Sequence, residues 1–371
     1  MTVSKSKSFG IVGAGVSGLL LANQLVAEGY RVHLFGEKDE RNQILGCWRD
    51  SITPSPQINH LLGSWESWEF RFDEDNFSQE GLRYRYEVID GKAMKQSIEK
   101  SLQQNPNCFR KTKNVADIKQ QISSYKVSFE KASESVEVDF LVDTRPPRRT
   151  SSCCIQQFVG LYLKISPSEI GLDRPLIMDY GPWEDEQDSS VFIYALPLSS
   201  NRVLVEATSF NTKVREEDFF RRHIEKWWAI RTDKNLMEKT ECKESGILPM
   251  GETKPLFRLE NSFGAAGGAT RPATGYTLQG IERQLLATDR WTLKDGIPNF
   301  EFSKLSQFMD SKFLRVLRNE PESMRMIFHR MSRGMTGDEF ARFLVDRFSI
   351  GVAVKVIRKM PKLLFLRNYF R

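Results

Sequence analysis

Gly13, Gly15 and Gly18, followed about twenty residues later by Glu37, are the residues of this chain whose types and spacing speak most directly of chemistry. In a Gly-x-Gly-x-x-Gly run the first glycine permits a tight turn and the second lets the backbone approach a pyrophosphate. The third allows close packing of helix on strand. An acid at the position of Glu37 is placed to accept from a ribose 2′-hydroxyl. Context strengthens the reading. Ile11 and Val12 form an apolar lead-in, and Leu19, Leu20, Leu21 and Leu25 mark an amphipathic helix. Gly29 stops that helix and a second strand runs from Arg31 to Phe35. The β-α-β unit therefore predicts dinucleotide binding, with amide donors and a partial positive charge at the helix start.

Two further stretches point to the same ligand. An apolar strand ends in Asp143-Thr144-Arg145-Pro146, which puts an acid and a guanidinium at a strand's carboxyl end, where open α/β sheets hold ligands. Asp143 and Arg145 are cofactor candidates, and an Asx-type turn before the proline is the alternative. Far downstream, Phe263 to Tyr276 is rich in small residues and precedes a helix from Thr277 to about Thr288. Such a loop can bring a second helix N-terminus to the cofactor, with Gly267, Thr274 and Gly275 as contacts. One dinucleotide unit early, a second glycine-rich loop late and a strand meander between them argue for FAD more than NAD.

The elements that must position these residues follow from periodicity. Lys38 to Ile52 reads as a loop. In a flavin-binding fold it passes beside the isoalloxazine, so Trp48 either shapes the site or belongs to a core. Trp68, Phe70 and Phe72 alternate with Glu69 and Arg71 as a strand with one buried face. Met94 to Leu102 reads as a helix, and Tyr125 to Glu130 with Val136 to Val142 as a hairpin. Phe158 to Ile165, Leu176 to Tyr180, Val191 to Leu196, Arg202 to Ala207 and Glu244 to Met250 read as strands of a substrate-facing sheet, and Glu206 ends its run. An acidic loop spans Glu184 to Asp188, Glu216 to Trp228 is an amphipathic helix, and the chain is helical from Phe300. The expected fold is α/β with α+β elements. A discontinuous Rossmann-type FAD-binding domain comprises 1–50, 84–145 and 255–290. An inserted antiparallel-sheet substrate domain comprises 51–83 and 146–254, and 291–371 is a helical C-terminal region.

Composition sets limits. The chain has 371 residues and a net charge of +6, enough for two domains or one elaborated domain. Four histidines without Cys-x-x-Cys or His-Glu-x-x-His spacing give no metal framework. Five irregularly spaced cysteines suit reduced thiols in a cytoplasmic compartment, and the Cys153-Cys154 pair reads as two small buried residues before a redox couple. No signal peptide is expected, and no apolar run approaches the roughly twenty residues of a membrane span. After Asp346 there are no acids, while Lys355, Arg358, Lys359, Lys362 and Arg367 are interleaved with Val354, Ile357, Leu363 and Leu366. That pattern fits a helix lying in an anionic interface on the inner membrane face, or a docked terminal helix with a solvated basic side. Nucleic-acid binding is not expected, because no binding motif accompanies the basic residues. Nothing in the sequence specifies an oligomeric state.

Several motifs are similar to those of the flavin-dependent lycopene cyclase family, of the bacterial and plant β-cyclase type. Met178-Asp179-Tyr180-Gly181-Pro182-Trp183 resembles the family's Met-Asp-(Tyr/Phe)-Arg-Pro segment, and Phe192 to Leu198 its F-x-Y-x-(L/M)-P-L strand. Val205-Glu206-Ala207-Thr208-Ser209 resembles its Leu-Glu-Glu-Thr-Ser element, and Gly246-Ile247-Leu248-Pro249 its Gly-x-(L/I)-P strand. Ala266-Gly267 with Arg271-Pro272-Ala273-Thr274-Gly275-Tyr276 resembles its A-G-x-x-H-P-x-T-G-Y loop. Gly181 stands in place of the usual Arg, Ala207 in place of the second acid, and Arg271 where His is common, which would alter substrate positioning and the field at the flavin.

The resemblance implies redox-neutral closure of the ψ-ends of lycopene into β-rings, with reduced FAD present and NADPH as its reductant. It implies Glu206 as general acid, with Asp179, Tyr180, Trp183, Tyr194 and Trp48 around the substrate. A buried carboxyl held neutral by desolvation can protonate an alkene, and aromatic rings can face the resulting cation. Two rival readings remain: a flavin monooxygenase or isoprenoid reductase, and a non-catalytic carotenoid- or FAD-binding protein. Gly267-Gly268-Ala269 lacks the acid that usually follows glycine in the first group.

Overall fold

The computed structural model describes residues 7–53, 55–131, 133–150, 153–181, 191–251, 253–254, 261–287 and 301–369. Trp183 and the acidic stretch from Glu184 lie outside them.

Strand β1 (Ser8–Val12), helix α1 (Val16–Ala27) and strand β2 (Arg31–Phe35) open the chain. They lead to β3 (Ile44–Asp50), β4 (Leu61–Trp65), β5 (Ser67–Phe72), β6 (Asp75–Glu80) and β7 (Tyr84–Asp90), then α2 (Gly91–Gln103) and β8 (Cys108–Lys111). Next are β9 (Val115–Gln120), β10 (Tyr125–Phe129), β11 (Ser135–Val138), β12 (Phe140–Asp143), β13 (Arg148–Arg149) and the long β14 (Cys154–Leu163). β15 (Leu176–Tyr180), β16 (Val191–Ser199) and β17 (Arg202–Asn211) precede α3 (Glu217–Ala229), α4 (Leu236–Lys239), β18 (Thr240–Met250) and β19 (Thr253–Lys254). The remainder is α5 (Leu278–Leu286), α6 (Lys304–Asn319), α7 (Met324–Arg333), α8 (Gly337–Leu344), α9 (Ile350–Lys359) and α10 (Lys362–Tyr369).

The first layer is a four-stranded parallel sheet, β12-β1-β2-β8. Ile11, Leu34 and Val142 bury one face against Leu19, Leu21 and Leu25 of α1 and Met94 of α2. Val12, Phe35 and Leu141 bury the other against Val127 and Phe129 of the antiparallel sheet β11-β10-β9. Covering both faces is what a parallel sheet requires, and it explains the near-continuous apolar runs.

A second, seven-stranded sheet has the order β18-β14-β17-β16-β15-β5-β6 and is antiparallel except for the β15–β5 pair. Its period-two pattern sorts side chains cleanly. Val203, Val205 and Ala207 face Phe220, Ile224 and Trp227 of α3, whereas Leu204 and Phe210 face a core completed by Leu314, Ile327 and Phe340 of the C-terminal helices. Glu206 and Thr208, on the same alternation, share that second side.

Four expectations are corrected. Residues 44–50 form strand β3, paired with β7, where a loop is expected; Cys47, Trp48 and Arg49 are all buried, so no polar alternation marks the strand. β4 also pairs with β7, so residues 61–65 join the sheet of 44–50 and 84–90 and leave the large sheet to β5 and β6. The run 136–142 is two strands in two sheets, broken at Asp139, whose carboxylate accepts from the Ser8 amide (2.8 Å) and hydroxyl (2.9 Å). Glu206 lies within β17, which continues to Asn211, and does not end its strand.

Candidate active site

The glycine motif forms a cradle at the carboxyl edge of the parallel sheet. Gly13 adopts φ +111°, and a Cβ on Gly18 would lie 1.9 Å from the Gly13 carbonyl oxygen. Both glycines are therefore demanded by the protein's own packing. Gly15 is different: its backbone is extended and a Cβ there would meet nothing within 4 Å. The space beside it is free for a ligand. No side chain caps α1 and no acid occupies its first turn, so its leading amides are available to an anion.

A groove of about 570 Å³ continues from this cradle past Ala14, Gly36, Glu37, Asn114 and Arg145. Glu37 accepts from Asn114 Nδ2 at 3.1 Å. Arg145 lines the groove while its guanidinium is gripped in bidentate fashion by Asp143, at 2.9 and 2.8 Å. Asp143 itself is buried, so its part is to orient Arg145.

The second glycine loop closes on the first. Residues 261–263 pair alongside Asp143, and a 3-10 turn, Gly264–Gly267, follows. A Cβ on Gly264 would lie 2.1 Å from Ser17 Oγ in the first turn of α1. Gln284 of α5 brackets the turn, accepting from the Gly264 amide at 2.8 Å and donating to the Gly267 carbonyl at 2.7 Å. Gly267 is therefore fixed by packing against Ser262 and Gln284. Further along, Thr274 Oγ1, Gln279 Oε1 and Gln156 Oε1 are buried without a hydrogen-bond partner among the described residues. A Cβ on Gly275 would sit 3.0 Å from that Gln156 oxygen. Buried polar atoms are rarely left unmatched. These unmatched atoms, with Gln156 Oε1 beside Gly275, and the empty flank of Gly15 are polar surfaces that an extended dinucleotide fits.

Arg271 is placed differently from the sequence expectation. Its guanidinium points into the C-terminal helices and pairs with Asp310 of α6 (2.8 and 3.1 Å) and with the Phe343 carbonyl. It locks the helical layer onto the loop, and its charge is met by a carboxylate.

Beyond the loop lies a buried aromatic and acidic cluster. Trp48 Nε1 donates to Tyr276 Oη at 2.9 Å, and the Tyr86 and Tyr194 hydroxyls are 2.7 Å apart. A Cβ on Gly46 would lie 2.1 Å from Tyr86 Oη, so that glycine makes room for the phenol. Tyr194 stands directly across from Glu206 in the β16–β17 register. Glu206 accepts from Thr208 Oγ1 at 2.5 Å. Burial, reinforced by the nearby Glu244 carboxylate, raises its pKa to about 8. Glu244 of β18 is raised to about 7 by burial, moderated by hydrogen bonds from Tyr162 Oη (2.7 Å) and the Ile44 amide (3.1 Å). Burial also pushes the Tyr86, Tyr194 and Tyr276 hydroxyls upward, keeping them neutral donors.

Of the residues expected around the substrate, Trp48, Tyr194 and Glu206 gather here. Tyr180 is on the same face but packs with Phe72 and Phe192, both at 5.4 Å between ring centroids. Asp179 is a correction: it lies on the opposite face, receiving Trp227 Nε1 (2.9 Å) and Arg231 (2.8 Å). Successive side chains of β15 point to opposite faces, so adjacent Asp179 and Tyr180 part company. Glu244, Tyr86 and Tyr162 do not stand out in the sequence, because only strand pairing brings them to this cluster.

The sheet order and the two-loop cradle define the FAD-binding flavoprotein fold. The same architecture is seen in a geranylgeranyl bacteriochlorophyll reductase-like protein from Thermoplasma acidophilum, with a TM-score of 0.60 at 10% identity, covering 97% of this chain and 98% of that one. It is seen also in Klebsiella pneumoniae HpxO complexed with FAD and uric acid, with a TM-score of 0.58 at 12% identity, covering 96% and 98%. Within that class the chain belongs to the lycopene cyclase protein family, which matches it over residues 9–367. It is 24% identical over 294 residues to the chloroplastic lycopene beta cyclase of Arabidopsis thaliana, across 72% of this chain and 56% of that one. It is 25% identical over 228 residues to lycopene beta-cyclase of Pantoea ananas, across 56% of each. The chain spans about half the length of these curated relatives.

Proposed function

We propose that this protein is a flavin-dependent lycopene cyclase, converting linear ψ-ends to β-rings without net redox change. The observation that carries the reading is Glu206: a buried carboxyl, held protonated near neutral pH among aromatic rings, in a chain of this family.

Glu206 would give its proton to a terminal alkene: the O–H bond breaks, a C–H bond forms, and a tertiary cation results. A neighbouring double bond closes the ring, and a C–H proton then returns to a carboxylate, so no electrons enter or leave. Tyr194, Tyr86 and Trp48 present aromatic faces and neutral hydroxyl or indole groups that can stabilise the cation without trapping it. Exclusion of water by this packed surround favours ring closure over hydration. FAD would be held by the Gly15 flank, Glu37, Arg145 and the Thr274–Gly275 turn, and in its reduced, anionic form would supply negative charge to the reaction. NADPH is the proposed reductant that maintains that form.

The tail supports a membrane-surface role for the same reaction. Among the described residues no helix is long and apolar enough to cross a membrane. Yet Ile350 and Leu363 are 76% and 84% exposed, and Val354, Ile357 and Leu366 are exposed with them. Arg358, Lys359 and Lys362 accompany this surface. Transfer of a long hydrocarbon through water costs about 0.8 kcal/mol per CH₂, so drawing it directly from a bilayer is the economical route.

A second reading, an FAD-dependent monooxygenase or isoprenoid reductase, is open to the same fold, which this chain shares with the reductase-like protein. The test separating them is product and reductant stoichiometry. A cyclase converts lycopene anaerobically with catalytic NADPH, whereas the alternatives consume NADPH in proportion to product.

A further inference from the structure

The buried cluster around Glu206 contains a second carboxylate with no part in the chemistry described so far. Glu206 of β17 and Glu244 of β18 flank the same residue of the strand between them, Gly160 of β14. Two strands apart is about 9–10 Å between backbones, and the two acids lie on one face of the sheet because both stand in register with that residue. A Cβ built on Gly160 would lie 3.1 Å from Leu204 Cδ1, 3.3 Å from Glu244 Cγ and 3.5 Å from Glu206 Cβ. The glycine therefore leaves open the space between the acids that a larger residue would crowd.

The partners of the two acids differ. Glu206 receives a single hydroxyl, from Thr208. Glu244 receives both Tyr162 Oη and the Ile44 amide on its Oε2 atom, and hydrogen bonds donated to a carboxylate favour its charged form. Among the described residues Tyr194 interacts with both acids and Asp90 with Glu244, while Tyr86 and Tyr276 lie behind Tyr194 and Cys242 lies beside Tyr162. Arg202 stacks on the Tyr162 ring at 4.8 Å but is paired with Glu241. No Lys or Arg among the described residues forms an ion pair with Glu206 or Glu244.

We propose that Glu244 is the positioning residue that keeps Glu206 protonated: its carboxylate, anchored by Tyr162 and the Ile44 amide, faces Glu206 across Gly160 and opposes a second negative charge there. The pair then holds one proton, delivered from the Glu206 side, and titrates as a unit. The proposal rests on the reading of Glu206 as the acid, and it explains how a carboxyl can stay loaded without a neighbouring second acid in its own strand, where Ala207 stands.

The test is Glu244→Gln in the FAD-loaded protein, since an amide oxygen can still accept from Tyr162 and Ile44 while carrying no charge. Two readouts are taken. The protonated-carboxyl infrared band of Glu206, assigned by its loss in Glu206→Gln, is followed against pH. The alkaline limb of lycopene cyclisation is followed in parallel. The expected result is that Glu244→Gln moves the midpoint of the infrared band to lower pH by about one unit, with the activity limb following, and that Glu244→Asp restores the wild-type midpoint. An unchanged midpoint in Glu244→Gln overturns the proposal. If no variant, nor the wild type, forms β-rings, the cyclase reading falls while the infrared midpoint still decides the coupling of the two carboxyls.

Discussion

At the scale of single residues the account turns on Glu206. Replacement by Gln keeps the volume and the Thr208 contact but removes the proton, so cyclisation should fall by about 10²–10⁴-fold with FAD content unchanged. Pigment analysis alongside flavin absorbance measures both, and retained turnover would take Glu206 out of its role. The raised pKa also makes a stability prediction with a definite sign. The folded carboxyl ionises near pH 8 and the unfolded one near 4.5, the ordinary value of a glutamate, so the native state binds more protons between those values. Stability attributable to this site is present below about pH 4.5 and is lost as pH rises toward 8. Glu206→Gln should therefore be more resistant to denaturant than the wild type at pH 8 to 9, and no different at pH 4; a uniform offset at both would contradict the assignment. Glu206 was legible in the sequence through the run Val205 to Ser209. Glu244 was not, because Lys243-Glu244-Ser245 reads as an ordinary charged strand end. Only the register across Gly160 turns that acid inward.

At the scale of elements, the two glycines of the first helix should separate cleanly. Gly15→Ala has no steric cost within the protein, so the apoprotein should unfold as the wild type does while FAD binds at least about tenfold more weakly by fluorescence titration. Gly18→Ala, with its Cβ driven onto the Gly13 carbonyl, should instead destabilise the fold itself. Equal FAD affinity in Gly15→Ala would mean that the flank of Gly15 is not a ligand surface. The helical layer has its own test. Asp310→Ala leaves the buried Arg271 guanidinium without its carboxylate and should cost about 3–5 kcal/mol in chemical denaturation; a loss under about 1 kcal/mol would show that Arg271 finds its partners elsewhere. These elements differ in how plainly the sequence announces them. The β-α-β unit is a local motif whose glycines and apolar periods agree. Strand β3 is hidden, because Cys47, Trp48 and Arg49 are all interior and Arg49 is held by Glu87 (3.3 Å) and Glu282 (2.8 and 2.9 Å). A buried charged residue in a strand is legible only once its distant partners are known.

At the scale of the molecule, a parallel sheet carries the glycine cradle and a larger sheet carries the acid pair, with the C-terminal helices packed over it. The last two helices serve two ends at once. Val352, Ala353 and Val356 are buried, and Asn368 bonds Glu320 of the α6–α7 junction at 2.7 Å. The opposite surface shows Ile350, Val354, Ile357, Leu363 and Leu366. Removing the tail would therefore open the core, and surface substitution is the informative change. The Leu363→Glu/Leu366→Glu double variant should fold normally yet lose most of its sedimentation with anionic liposomes; undiminished binding would refute the membrane-surface role. The central claim, that buried acid chemistry at Glu206 closes carotenoid rings in this flavoprotein, is tested most directly by expressing the chain in a lycopene-accumulating bacterial host and analysing its pigments. The account predicts β-ringed product with the wild type and unchanged lycopene with Glu206→Gln. Unchanged lycopene from folded, flavin-loaded wild-type protein would contradict it.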